Sequence, residues 1–167
     1  MRIGPLLALA TLLGASTPAL AWDIYSYPEA KFAAQFPSQP QTGPTRYHTA
    51  AGLDAPAQRY WAQEGNMVYA VTIADLTGTV LDKDAAIADA VKIFSDQGKV
   101  LVDVEARINR EFGRELSIDR KDGGHDILAI FFIDRRLYVL NGRAAAPDPG
   151  AATAALIRFQ QSLNFLP

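Results

Sequence analysis

At 167 residues, with 49% hydrophobic and 20% charged side chains and a formal net charge of −2, the chain has the make-up of one folded domain. It contains no cysteine, which excludes disulfides, thiolate nucleophiles and thiol lipidation and removes the usual structural zinc sites. A balance of 16 basic against 18 acidic residues argues against sequence-independent nucleic-acid binding and gives no support to a polybasic membrane contact.

Residues 1–21 have the form of a cleavable secretory leader. Arg2 supplies the positive start, residues 6–13 an apolar run broken only by Thr11, and Ala19-Leu20-Ala21 the small-x-small pattern read by a signal peptidase. Cleavage is expected between Ala21 and Trp22. A membrane-spanning helix needs roughly 20 uninterrupted apolar residues, and Gly14, Ser16, Thr17 and Pro18 cut this stretch. The expected product is a single domain of residues 22–167, about 146 residues long, periplasmic or secreted and without a stable membrane anchor. Losing Arg2 leaves one basic residue fewer than 16, so 15 against 18, a net charge of −3.

Residues 22–40 contain two short alternating pieces joined through Pro28-Glu29, the pattern of a first hairpin. Residues 41–56, rich in Gly, Pro, Thr and Ala, predict a surface loop, with at most a short strand near 46–49. Aromatic and β-branched residues at 57–62 and 67–76 flank Glu64-Gly65-Asn66 and predict a second hairpin. Its second strand is apolar on both faces and belongs inside a sheet covered on both sides.

Asp82 then caps a helix whose apolar stripe is Ala86, Ile87, Ala90, Val91 and Phe94, with Gly98 expected as its terminator. Val100, Val102, Val104, Ala106 and Ile108 alternate strictly with polar residues, as in a half-exposed strand. Strands at 114–120, 126–133 and 136–143 follow, separated by Asp122-Gly123-Gly124 and Asp134-Arg135 in an antiparallel meander. The middle one is again apolar on both faces. A last helix, from about 150 to 162, turns Ala152, Ala155, Leu156 and Phe159 inward. The fold class is α+β: a single antiparallel β-sheet of about six to eight strands with two principal α-helices packed on it.

Three stretches together resemble exported bacterial domains of the PsbP-like fold, the group around an extrinsic photosystem subunit and a Ran-binding nuclear import factor. They are Phe32-Ala33-Ala34-Gln35-Phe36-Pro37-Ser38-Gln39-Pro40, Gly113-Arg114-Glu115-Leu116 with the hairpin into Arg136-Leu137-Tyr138-Val139-Leu140, and Phe159-Gln160-Gln161-Ser162-Leu163-Asn164-Phe165. Leu163 stands where an aromatic residue is usual. The resemblance implies an antiparallel sheet flanked by helices, acting as a binding or assembly module. It carries over no ligand residue, and these residues give photosystem binding no support.

Local chemistry is sparse. His48 lies in the expected loop, and His125, beside Asp126, reads as a solvated turn histidine; no metal-binding spacing surrounds either. The serines lack a nucleophile elbow. Asp103, Glu105, Glu115 and Asp119 are the carboxylates that neighbouring strands could pair, although their alternation fits a solvated sheet face. Arg135-Arg136 fits a charged turn better than an anion site. No catalytic residue, metal or cofactor is assigned. The remaining lead is aromatic: Tyr25, Tyr27, Tyr47, Tyr60 and Trp61 crowd the first third of the chain and suit a partner-binding surface.

The expected function is therefore a non-enzymatic envelope module that binds a protein or another envelope component through a sheet edge or the 41–56 segment. The alternatives are a carboxylate-dependent envelope hydrolase and a carrier of a small apolar ligand. A binding module should expose an apolar patch, an enzyme should bring two carboxylates with displaced pKa values into a cleft, and a carrier should enclose roughly 300 Å³ of apolar cavity.

Overall fold

A computed structural model describes residues 22–146 and 150–167. The leader and its cleavage signals Ala19 and Ala21 lie outside the described residues. Ten strands, two α-helices and two short 3-10 turns make up the rest: β1 (Asp23–Tyr27), β2 (Phe32–Phe36), β3 (Gln41–His48), β4 (Asp54–Glu64), β5 (Met67–Asp75), α1 (Lys83–Ser95), β6 (Gly98–Ile108), β7 (Glu111–Arg120), β8 (His125–Ile133), β9 (Arg136–Ala144), α2 (Thr153–Gln161) and β10 (Asn164–Phe165).

The α+β class holds, but the expected single sheet is two. Seven antiparallel strands form the main sheet in the order β3-β4-β5-β9-β8-β7-β6, while β1, β2 and β10 form a separate sheet in the order β1-β2-β10. The first hairpin does not extend the main sheet because its aromatic side is spent on burial. Phe32 and Phe36 are fully buried, and Tyr27 and Tyr25 stand opposite Phe32 and Ala34 in the β1–β2 register. That side lies flat on the main sheet, in one cluster with Tyr69, Val71, Phe131, Leu156 and Phe159. The small sheet and α2 thus cover one face, called here the α2 face. On the opposite α1 face, Ala86, Ile87 and Ala90 pack with Leu116, Ile118, Leu128, Ile130 and Val139. The two-faced apolar run of β8 is the reason for both layers.

Several local expectations hold. Asp82 caps α1, accepting from the Ala85 amide at 2.9 Å. Asp134 and Arg135 form a two-residue turn with φ of 50° and 64°, the twist that suits a tight hairpin.

Other local expectations are corrected. Residues 41–48 are not a loop but an eight-residue edge strand, paired along its length with β4 from Gln41↔Trp61 to His48↔Asp54. Pro44 hid it in the sequence, and an edge position tolerates proline because one side of the strand needs no donor. Gly98 does not end α1, whose cap is Asp96; it lies in β6, where a Cβ would come within 2.1 Å of the Asp119 carbonyl oxygen. The alternation of 100–108 is broken by a bulge at Leu101, so that Val100 pairs with Ile118 and Val102 with Ser117, on opposite faces.

Gly113 meets the tightest backbone constraint in the central ladder. A Cβ there would fall 2.1 Å from the Ile130 carbonyl oxygen and 2.6 Å from the Phe131 ring, whereas one at Gly78 meets nothing within 4 Å. Gly113→Ala should cost about 2 kcal/mol or more in urea unfolding, as forced overpacking does, and Gly78→Ala should stay within about 0.5 kcal/mol.

Burial also sets an alkaline limit. Tyr69 is fully buried with its hydroxyl 3.0 Å from the Met67 sulfur, and burial, reinforced by Glu64, pushes its pKa up to about 12. The unfolded chain releases that proton near the ordinary tyrosine value of about 10, so stability should fall as pH rises from there towards about 12. Tyr69→Phe should flatten that slope in pH-dependent urea titrations, and change stability at neutral pH by about 1 kcal/mol or less.

Candidate functional site

The five aromatic residues singled out by the sequence do not form one surface. Tyr27 and Tyr60 meet at a ring separation of 4.4 Å and join Phe32, at 5.1 and 5.0 Å, where the small sheet rests on β4. Tyr25 packs edge-on to Phe36 at 6.1 Å. These three serve the joint between layers, and burial raises the pKa of Tyr27 and Tyr60. Tyr47 is buried on the α1 face beside Asp89, its pKa raised by burial and then by that carboxylate. Trp61 is half-buried on the same α1 face, under the Arg59 guanidinium at 5.5 Å. Trp22 packs against Tyr69, at 4.8 Å, and against Phe159.

The charged residues build more than the sequence suggested. Asp126 is 1% exposed on the α1 face. It accepts from Arg143 Nε at 2.7 Å, Arg143 Nη2 at 3.0 Å and Arg120 Nη1 at 3.1 Å. Burial works against the Arg120 charge, but Asp122 and Asp126 outweigh it and raise the pKa. Asp126→Asn leaves Arg143 without a carboxylate and Arg120 with Asp122 alone. It should lower stability by about 3 kcal/mol, the low end for a broken buried pair because Arg143 keeps contact with water, as read from urea unfolding at neutral pH.

His125 is not the solvated histidine expected from its glycine-rich turn. It is buried on the α2 face, with Nδ1 2.8 Å from Asp119 and Nε2 3.2 Å from the Ser117 hydroxyl. The order carboxylate, imidazole, hydroxyl is that of a nucleophile relay. Its setting differs: Asp119 is more than half exposed, and the backbone at Ser117 belongs to the ladders with β6 and β8. The arrangement fixes the imidazole at the mouth of the β7–β8 hairpin. His48 pairs with Asp54 at the exposed loop end of the β3–β4 hairpin.

The four carboxylates considered for acid–base work are split. Asp103 and Glu105 project to the α1 face, where Asp103 accepts from Arg114, and Glu115 and Asp119 project to the other. Among the described residues the carboxylates with displaced pKa values are Asp75 and Asp122, both displaced downward, by Thr77 and by Arg120 respectively. Groups held ionised in this way are poor general acids. Arg135 is no anion site: it donates to the Leu81 and Leu76 carbonyls at 2.9 and 3.1 Å and ties down the segment before α1.

What remains open to a partner is an edge. Among the described residues β6 pairs only with β7, leaving one side of an eleven-residue strand unpaired. Val100, Leu101, Val102 and Val104 are 36, 47, 43 and 47% exposed along it. Beside it, a groove of about 480 Å³ runs between α1 and β6–β7, lined by Ile87, Val91 and Phe112 with Lys83, Glu105 and Arg114. Phe112 is 44% exposed, and Lys83 and Arg107 lie over its ring at 5.8 and 5.3 Å. The opposite edge, β3, is polar along most of its length and carries Pro44 and the Arg46–Asp54 pair, devices that blunt an edge. Among the described residues no helix is long and apolar enough to cross a membrane, and no group of three or more His, Cys, Asp or Glu is placed to hold a metal ion.

A seven-stranded antiparallel sheet with a helix on one face, and a helix plus a three-stranded sheet on the other, defines a PsbP-like fold. The chain is similar to the solution structure of cyanobacterial PsbP from Synechocystis sp. PCC 6803, with a TM-score of 0.58 over 97% of this chain and 99% of that one. At 12% identity the likeness is one of fold, as the sequence resemblance implied. No protein-family model and no curated protein matches the chain.

Proposed function

We propose that the chain is an exported envelope protein, a non-enzymatic module that binds a protein partner by accepting one of its extended segments along β6. The carrying observation is the unpaired edge of β6 with its exposed valines. Main-chain donors and acceptors left free on a sheet edge give affinity to an added strand, and side chains of alternating type give it register. Lys99, Asp103, Glu105 and Arg107 supply charges of both signs along the strand, which favours an extended segment carrying complementary charges between apolar residues.

Export rests on the leader form of residues 1–21. The chemistry of the site favours this reading over its two alternatives. A carrier of a wholly apolar ligand is poorly served by a groove rimmed with Lys83, Asp84, Lys92, Glu105 and Arg114. A carboxylate-dependent hydrolase needs an acid whose pKa is raised, and the displaced carboxylates move the other way.

A photo-crosslinking residue placed at Val104 in intact cells should give a discrete protein adduct, and one at Thr42 on β3 should not. Val102→Asp should abolish the adduct while leaving stability within about 0.5 kcal/mol, because the side chain is exposed. An adduct that forms equally from Thr42, or that survives Val102→Asp, sinks the reading. The mass of the protein recovered from the envelope fraction tests cleavage before Trp22.

A further inference from the structure

α1 covers only part of its face of the main sheet. It packs on β6, β7 and β8 and reaches β9 through Phe94, leaving a strip of β4, β5 and β9 open. Register brings distant residues together on that strip: Trp61 opposes Ala70, which opposes Asn141, and in the next rows Arg59 opposes Thr72 and Val68 opposes Arg143. The small side chains of β5 leave a depression of about 130 Å³ between the flanking strands, lined by Arg59, Val68, Ala70, Asn141 and Arg143.

The charge of this depression is not balanced from within. No acidic residue lines it. Arg143 is held by Asp126, whose two oxygens are already engaged by Arg143 and Arg120. Arg59 has no carboxylate partner and no hydrogen bond from its guanidinium among the described residues; it lies over Trp61. Burial lowers its pKa and the nearby Arg143 lowers it further, yet a guanidinium stays charged at any physiological pH. Asn141 Oδ1 is buried here with no hydrogen-bond partner. Two guanidiniums and an orphaned amide thus converge on one small hollow.

We infer that this hollow is a binding site for a phosphate group. Guanidinium forks match phosphate oxygens and form charge-assisted bonds with them. The Asn141 amide serves a phosphate in either orientation: Oδ1 takes the proton of a P–OH, and Nδ2 donates to a P–O⁻. The hollow opens into a trough of about 220 Å³ that shares Arg59, Ala70 and Asn141 and continues past Thr72, Val139 and Phe94 to Arg46 and Tyr47 of β3. A phosphate monoester therefore fits, its organic part lying along the trough. The site lies next to β3 and three strands away from β6 in the sheet order, so it stands or falls independently of strand addition at the β6 edge.

Titration of the purified protein with inorganic phosphate, followed by calorimetry and by side-chain NMR signals, should show saturable binding with shifts at Arg59 and Asn141. Arg59→Gln should weaken it about tenfold or more, the loss expected for one charge-assisted contact. Asn141→Asp should weaken it further by adding a negative charge, and Arg158→Gln, on α2 at the other face of the sheet, should leave it unchanged. Arg59→Gln leaves no hydrogen-bond partner unpaired among the described residues and gives up only the stacking on Trp61, so its unfolding midpoint should stay close to the parent's.

Two further arms separate the sources of the phosphate. Co-sedimentation with phosphatidic-acid vesicles but not phosphatidylcholine vesicles, lost in Arg59→Gln, identifies a lipid headgroup. Tighter binding of glycerol 3-phosphate than of inorganic phosphate, without vesicle binding, identifies a soluble ester. No saturable binding up to tens of millimolar phosphate, or equal affinity in Arg59→Gln and the parent, overturns the inference.

Discussion

The structure turns on β8, an interior strand that is apolar on both faces and buried along almost all of its length. Water must be kept from both of its sides at once, so the main sheet needs a layer on each face. One helix suffices over the α1 face near the centre. The other face takes α2 together with a whole second sheet, whose aromatic side merges with Tyr69 and Phe159. Cover thickens over β8 and β9 and thins towards the margins. The two surfaces that retain unsatisfied chemistry, the β6 edge and the β4–β5–β9 strip, lie where that cover gives out.

Asp126 shows how the same constraint handles charge. It sits on β8 next to His125, and because neighbours on a strand face opposite ways, the carboxylate enters the α1 side and the imidazole the α2 side. Each is furnished with its own partners: two guanidiniums for one, Asp119 and Ser117 for the other. The N-terminal end of the central strand is thereby pinned on both faces by polar contacts, while the rest of the strand is held by packing.

Elements with strong local signatures were legible in the sequence. The two-faced run of β8, the Asp82 cap, the Asp134-Arg135 turn and the stripe of α2 all follow from spacing within a dozen residues. What escaped depends on pairings between distant segments. Nothing near Tyr25 or Phe32 says that their hairpin will lie flat against the main sheet instead of joining it. The valines of β6 read as half-buried because alternation implies a covered face, and alternation says nothing of whether a layer extends that far. Gly43 and Pro44 made an edge strand look like a loop. Arg59, Asn141 and Arg143 come from strands far apart in the chain, so their convergence appears only with the register. The aromatic cluster failed as a site for the opposite reason: proximity in sequence did not survive the division between two faces and three layers.

The small sheet is closed by the other end of the domain. Asn164 pairs with Ala33 and Phe165 with Phe32, and the Leu166 amide donates to the Lys31 carbonyl. Phe165 stacks edge-on to Phe131 and Tyr138, so this pairing also completes the core. The first hairpin therefore has no finished layer to join until residues 164–165 have been synthesised. Contacts of such long sequence separation form late and slowly. The hairpin and the 164–165 segment thus set together, and loosening either one unseats the aromatic layer that both complete.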